Sequence, residues 1–339
     1  MIYLEAYKFF KRKLVCVLLI GIFFLVAVPE IIAISRQIPD YDKLQGRINT
    51  YEKHNGIFTE QTAEKFLLDY KEILSDKEME DLYYESEHLK MLADTLPNIG
   101  FNIIFGFYGE WQMSLAWLID YMQYIPVFVA VAISGIFTYD KSYGMQEIML
   151  SAKNGRKKCT KAKVILAFLV TNSMLFVVAL ITSLKLLLFT GGRGWNTSIQ
   201  LAFWLSDSPL DMSFGVLWLH TLFLSFLAIN MILLITLSVS FLANSPVTAM
   251  CVSLGILFLL RPDVIEIYLG GVEALNKIIS LTPYNIINTY KLAQRITLKL
   301  GEVTVHWIYR IEVLYSVLLI VGGIFFFQKL IKNYKYFAS

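Results

Sequence analysis

Only 17% of the 339 residues are charged, four are histidine and three are cysteine. Those shortages remove several classes of protein at once. Cys16 and Cys251 fall in apolar runs and Cys159 in a basic stretch, so neither a disulfide framework nor a cysteine-based metal site has its ligands. The chain contains no GxxxxGK[ST] phosphate loop, no HExxH and no GxSxG. It therefore lacks the usual ATP cradle, zinc-protease helix and nucleophile elbow, and no catalytic residue and no metal site is assigned. No internal repeat or low-complexity tract appears.

What is abundant is apolar surface. With 56% of residues apolar, 14% aromatic and a mean hydropathy of +0.57, the chain lies outside the range of soluble domains and reads as an all-α polytopic membrane protein. The net charge of +3 follows the membrane sides rather than forming one basic face, so no nucleic-acid partner is implied. Lys8 to Lys13 followed by an apolar run to Ile34 resembles a secretion signal, but the run is too long for a signal core and is expected to stay as an anchor.

Six transmembrane helices are expected, with an enlarged helical extracellular loop between the first two. Residues 1–34 hold a cytoplasmic N-terminus and the first span, in which Pro29 and Glu30 lie near the outer end, the carboxylate within reach of headgroups. Residues 35–114 form an extracellular domain, since Arg36 to Glu110 carries fifteen acidic and eight basic side chains. Apolar spacing predicts helices over Thr62 to Leu74 and Asp76 to Leu96, the second capped by Ser75 or Asp76. Glu85 and His88 share a face of the second, read as solvated rather than metal-binding. Phe101 to Trp111 reads as interfacial chain returning to the bilayer.

Beyond it the second span covers 115–138, the third 164–189, the fourth 214–243, and the sixth, with a cytoplasmic tail, 311–339. The stretch 247–260 is too short for a full crossing at 1.5 Å per residue. Outer segments are expected at 190–213, with Trp195 and Trp204 as interface anchors, and at 261–310, where helical pieces lie at or dip into the surface. Lys185, near the outer end of the third span, is expected to snorkel to headgroups. Asn172, His220 and Asn230 are polar side chains within spans, either bridging helices or lining a substrate path.

Residues 139–163 organise the rest. The stretch DKSYGMQEIMLSAKNGRKKCTKAK, Asp140 to Lys163, holds seven Lys or Arg against two carboxylates, which places it on the cytoplasmic face, together with both termini of a multi-pass plasma-membrane protein. Tyr143, Met145, Ile148, Met149 and Ala152 recur at threes and fours, predicting a short amphipathic helix that Asn154-Gly155 ends. Such a helix leans on lipid, through Arg156 and the lysines after it, or on a cytosolic partner.

This stretch resembles the cytoplasmic loop of type 2 ABC exporter permeases of Gram-positive type. The matching features are Asp140, Gly144, Glu147 to Leu150, Ser151 with Lys153, Gly155-Arg156 and Lys163. Asp140 stands where the family more often has Glu, and the loop covers under a tenth of the chain. The resemblance implies a coupling helix that docks on a separate ABC ATPase through Asp140, Tyr143, Gly144, Met145, Glu147, Ile148, Met149, Ser151, Gly155 and Arg156. It further implies two copies of that ATPase, which carry the ATP and magnesium, a second permease subunit, identical or homologous, and no cofactor bound by this chain. Members export peptides, including antimicrobial peptides in producer immunity, or drugs or lipid-linked glycans. Two other classes stay open: an ion-driven secondary transporter, and a receptor or assembly factor with an extracellular ligand-binding domain.

Overall fold

The computed structural model describes residues 2–38, 40–74, 79–95, 101–144, 155–206, 208, 210–259, 261, 282–289, 298–300, 303–305 and 308–333. Among these, four helices are long and apolar enough to cross a membrane. They are α2 (Lys13–Gln37), the α6 (Gly109–Ile133) and α7 (Gly135–Ser142) pair, which runs on with a break at Ser134, α8 (Gly155–Thr190) and α9 (Phe214–Leu242). Two shorter apolar helices accompany them: α10 (Pro246–Leu259) and the Val317–Lys329 part of α12 (Ile308–Asn333). α10 has 14 residues, about 21 Å at 1.5 Å each, so the shortness read in the sequence is real.

α9 is apolar on every side, and a helix of that kind belongs in the interior. It packs against α6, α8, α10 and α12, and Leu217, Leu224, Ala228, Ile229, Leu233 and Leu237 are buried along it. Its limits agree with the expected fourth span. A short helix, α11 (Pro283–Ile286), is buried against α9 beside the Thr221–Thr289 hydroxyl contact of 2.8 Å. A hairpin of β3 (Leu298–Leu300) and β4 (Val303–Val305) precedes α12. Between 282 and 305 of the expected outer segment 261–310, the described residues therefore form a single helical turn and two short strands, with 290–297 outside the described residues.

Among the described residues, the chain between α2 and α6 folds as a polar unit with three helices where two were expected: α3 (Tyr41–Lys53), α4 (Glu60–Ile73) and α5 (Met79–Thr95). Thr59 caps α4 by accepting from the Thr62 amide while the Thr62 hydroxyl accepts from the Thr59 amide, satisfying two donors that a helix start leaves open. The expected cap at Ser75 or Asp76 lies outside the described residues. An aromatic core of Tyr51, Phe66, Tyr70 and Phe105 fills the unit, with ring centroids 4.4 Å apart for Tyr51 and Phe66 and 5.0 Å for Phe66 and Phe105.

Phe101 to Trp111, expected as interfacial chain, is packed within the protein. β2 (Ile104–Phe105) pairs antiparallel with β1 (Gly56–Ile57), and Ile103, Phe105, Phe107 and Trp111 are buried. The Trp111 indole donates to the Arg193 carbonyl at 2.6 Å, and the Gln45 amide donates to the Phe189 carbonyl at 3.0 Å. These bonds tie the unit to the 191–213 segment and to the end of α8, so it sits on the bundle as a packed body. An N-terminal helix, α1 (Ile2–Phe10), packs on α8 at the opposite end.

Candidate functional site

The end of the bundle near α1 gathers the stems of the 139–163 segment. α7 brings Phe137, Tyr139, Asp140 and Lys141, and its helix stops at a turn where Gly144 adopts φ +65°, a left-handed conformation that glycine tolerates without a Cβ penalty. α8 brings Cys159 and Lys163. The Lys163 ammonium pairs with Asp140, and both side chains are buried. It also lies 5.4 Å from the Phe137 ring centroid, so the charge is held by one carboxylate and one aromatic face.

Three further elements join this node. α1 contributes Glu5, which is buried, pairs with Lys8 at 3.5 Å and lies 3.6 Å from the Cys159 sulfur. Arg12, just before α2, places its guanidinium 3.9 Å from the Tyr139 ring centroid. Burial lowers the Arg12 pKa, while Tyr139 and Asp140 act in the opposite direction. A Cβ at Gly135 would collide with the Tyr139 ring, so glycine there makes room for the stacked pair. Lys141 donates to the Phe241 carbonyl at 2.5 Å and the Ala243 carbonyl at 2.9 Å, satisfying carbonyls that the end of α9 leaves open.

Glu5, Asp140 and Cys159 bring ligand-type atoms within 4.8 Å of one another. The Lys163 ammonium already pairs with Asp140 there, and it supplies the positive charge that a metal ion would bring. The cluster is therefore a charge-compensated joint between α1, α7 and α8.

Of the expected docking residues, Asp140 lies buried in this node and Tyr143 and Gly144 form the turn after α7. Tyr143 thus ends one helix rather than opening another, because its amide donates back to Tyr139. Met145, Glu147, Ile148, Met149 and Ser151 lie outside the described residues, as does the body of the expected amphipathic helix. Gly155 and Arg156 are the first residues of α8. The cationic stretch expected as a tail is helical from Gly155, consistent with the helix propensity of its lysines and alanine.

The polar side chains within the spans resolve differently. Asn172 on α8 and Asn230 on α9 exchange amide hydrogen bonds of 3.1 and 3.0 Å, so they bridge helices. His220 lies ten residues from Asn230 on α9, about 15 Å along the axis, and is not part of that bridge. Lys185 does not snorkel and Glu30 does not reach outward: the two lie 3.0 Å apart, both buried, between α8 and α2. An ammonium in an apolar bundle is better stabilised by a partner within the bundle than by bending to its edge.

Glu85 and His88 face inward rather than into solvent. The Tyr51 and Tyr108 hydroxyls each donate to Glu85 at 2.8 Å, and the His88 Nε2 donates to the Leu201 carbonyl at 2.8 Å. Sequence reasoning passed over Glu5 and Arg12, whose contacts with Cys159 and Tyr139 lie far along the chain and leave no local spacing signal. No protein-family model matches the chain, and neither a curated protein nor a solved structure matches it.

Proposed function

We propose that this chain is the membrane-spanning permease subunit of an ATP-driven transporter of the type 2 ABC exporter kind, moved by a separate ATPase through its 139–163 segment. In this reading α2, α6 with α7, α8, α9, α10 and α12 are six spans in the plasma membrane. Both termini and the 139–163 segment are cytoplasmic, and the α3–α5 unit is extracellular. ATP and magnesium belong to two copies of the ATPase, a second permease completes the assembly, and the cargo is a peptide or another amphipathic substrate.

The observation that carries this reading is the buried node at the base of the segment. Asp140 and Lys163 join its two stems, Lys141 grips the end of α9, and Arg12 and Glu5 bring in the start of α2 and α1. A push on the segment is therefore delivered to several helices as one rigid displacement. A segment serving only to lean on lipid needs no such joint. Gentle solubilisation of tagged chain is expected to bring down a nucleotide hydrolase, and Glu147→Lys or deletion of Gly155-Arg156 to lose it at an unchanged membrane level. Retention of the hydrolase by both variants overturns the docking role.

The buried Glu30–Lys185 pair favours a second reading, an ion-driven transporter, because ionisable groups inside a bundle mark ion pathways. Proteoliposomes holding such a transporter would dissipate an imposed proton gradient without nucleotide. An ATP-driven permease keeps the gradient.

A further inference from the structure

The polar unit holds a cleft of about 1180 Å³ between α3, α5 and the turn at Phe203 and Trp204, above the roughly 300–1,000 Å³ of small-ligand sites. Glu85, Glu87, Asp94 and Glu110 line it, against the cationic Arg47 and Lys90. Glu85 is fixed in the wall by the Tyr51 and Tyr108 hydroxyls. Burial raises the pKa of both phenols well above the ordinary tyrosine range, and the Glu85 charge raises it further. The aromatic side chains at the rim, Tyr84, Phe203 and Trp204, are 61%, 60% and 48% exposed.

His88, another wall residue, is only 7% exposed. Its Nε2 donates to the Leu201 carbonyl at 2.8 Å, which fixes the ring in the cleft wall beside Phe203, at 5.7 Å between ring centroids. Net negative charge and exposed aromatic side chains call for a ligand bearing cationic groups on an apolar body. The cleft's size calls for more than one side chain. Gly109, Gln112 and Met113, the first turn of α6, form one edge, which places the opening beside the start of a membrane-length helix.

We propose that this cleft is a binding site for a cationic amphipathic peptide segment. Lysine or arginine heads lie over Tyr84 and Trp204 within reach of Glu87 and Asp94, and the apolar side chains lie along Met91 and Met113. Binding needs no nucleotide and no ATPase, so this site stands or falls apart from the coupling role of the 139–163 segment.

The test uses the full chain in nanodiscs of zwitterionic lipid and a fluorescein-labelled peptide of Lys, Leu and Trp, read by fluorescence anisotropy with empty discs subtracted. Saturable binding is expected, weakening as salt rises, with no binding by the same peptide carrying Glu for Lys. The Glu87→Gln/Asp94→Asn double variant and Trp204→Ala alter exposed positions and are expected to unfold at the wild-type temperature while binding roughly tenfold more weakly. Unchanged affinity in both variants, binding no greater than to empty discs, or equal binding of the Glu peptide overturns the proposal.

Discussion

The Lys185 ammonium lies 3.0 Å from a Glu30 carboxylate oxygen, and the pair joins α8 to α2 where both side chains are less than a tenth exposed. Removing one partner strands the other charge in the interior. Glu30→Gln or Lys185→Met alone is therefore expected to cost about 3–5 kcal/mol, whereas the double variant returns close to wild type. Thermal unfolding in detergent, followed by tryptophan fluorescence, checks both outcomes. A double variant as unstable as the singles would show that the pair does more than neutralise itself.

Tyr51 and Tyr108 set an alkaline limit on the polar unit. Burial, with the Glu85 charge behind it, raises both phenol pKa values well above the usual range. The unfolded chain releases these protons from about pH 10, while the folded unit retains them. The native state then binds more protons than the unfolded state, so stability falls as pH rises. Below about pH 10 the contribution is complete and the unfolding temperature should not respond to these groups. Tyr108→Phe is expected to shrink the alkaline fall, measured as unfolding temperature against pH.

The Asn172–Asn230 exchange bridges α8 and α9, and interhelical amide bonds in membrane bundles are worth about 0.6–2 kcal/mol. Alanine at either position should lower stability by that order, and the double variant should lose little more than one single. A double-mutant cycle on unfolding temperature measures the coupling. Additive losses would mean that the two amides act separately.

Gly194 combines φ +84° with a backbone so close to the Phe107 carbonyl and the Trp111 ring that a Cβ would overlap them. Gly194→Ala is expected to cost about 1–3 kcal/mol and to loosen the polar unit from the bundle. Limited proteolysis near 191–213 should accelerate in this variant. Gly192→Ala, also at positive φ but with open space around its Cβ position, should show a smaller effect and isolates the steric part.

The sequence reading anticipated the long apolar helices, since a run of twenty apolar residues has few other fates, but α6 begins six residues before the expected second span and α8 nine before the expected third. It missed α3, although Leu44, Ile48 and Tyr51 repeat at four and three, because the polar residues between them masked the stripe. That Phe101 to Trp111 is packed into a protein core was not legible, because aromatic residues suit both a headgroup layer and a protein core and composition does not distinguish them. Glu85 and His88 were read as a solvated face because helical spacing shows which residues share a face, not what covers it.

From the sequence alone follow the apolar helices, the short α10 and the basic 139–163 segment, all of which depend on local composition and period. Only the tertiary structure decided that Glu30 meets Lys185, that Arg12 stacks on Tyr139, and that the polar unit closes around Tyr51 and Glu85. These pairings join residues distant along the chain, and the free energy of burying a charge or a ring depends on neighbours that only folding brings together.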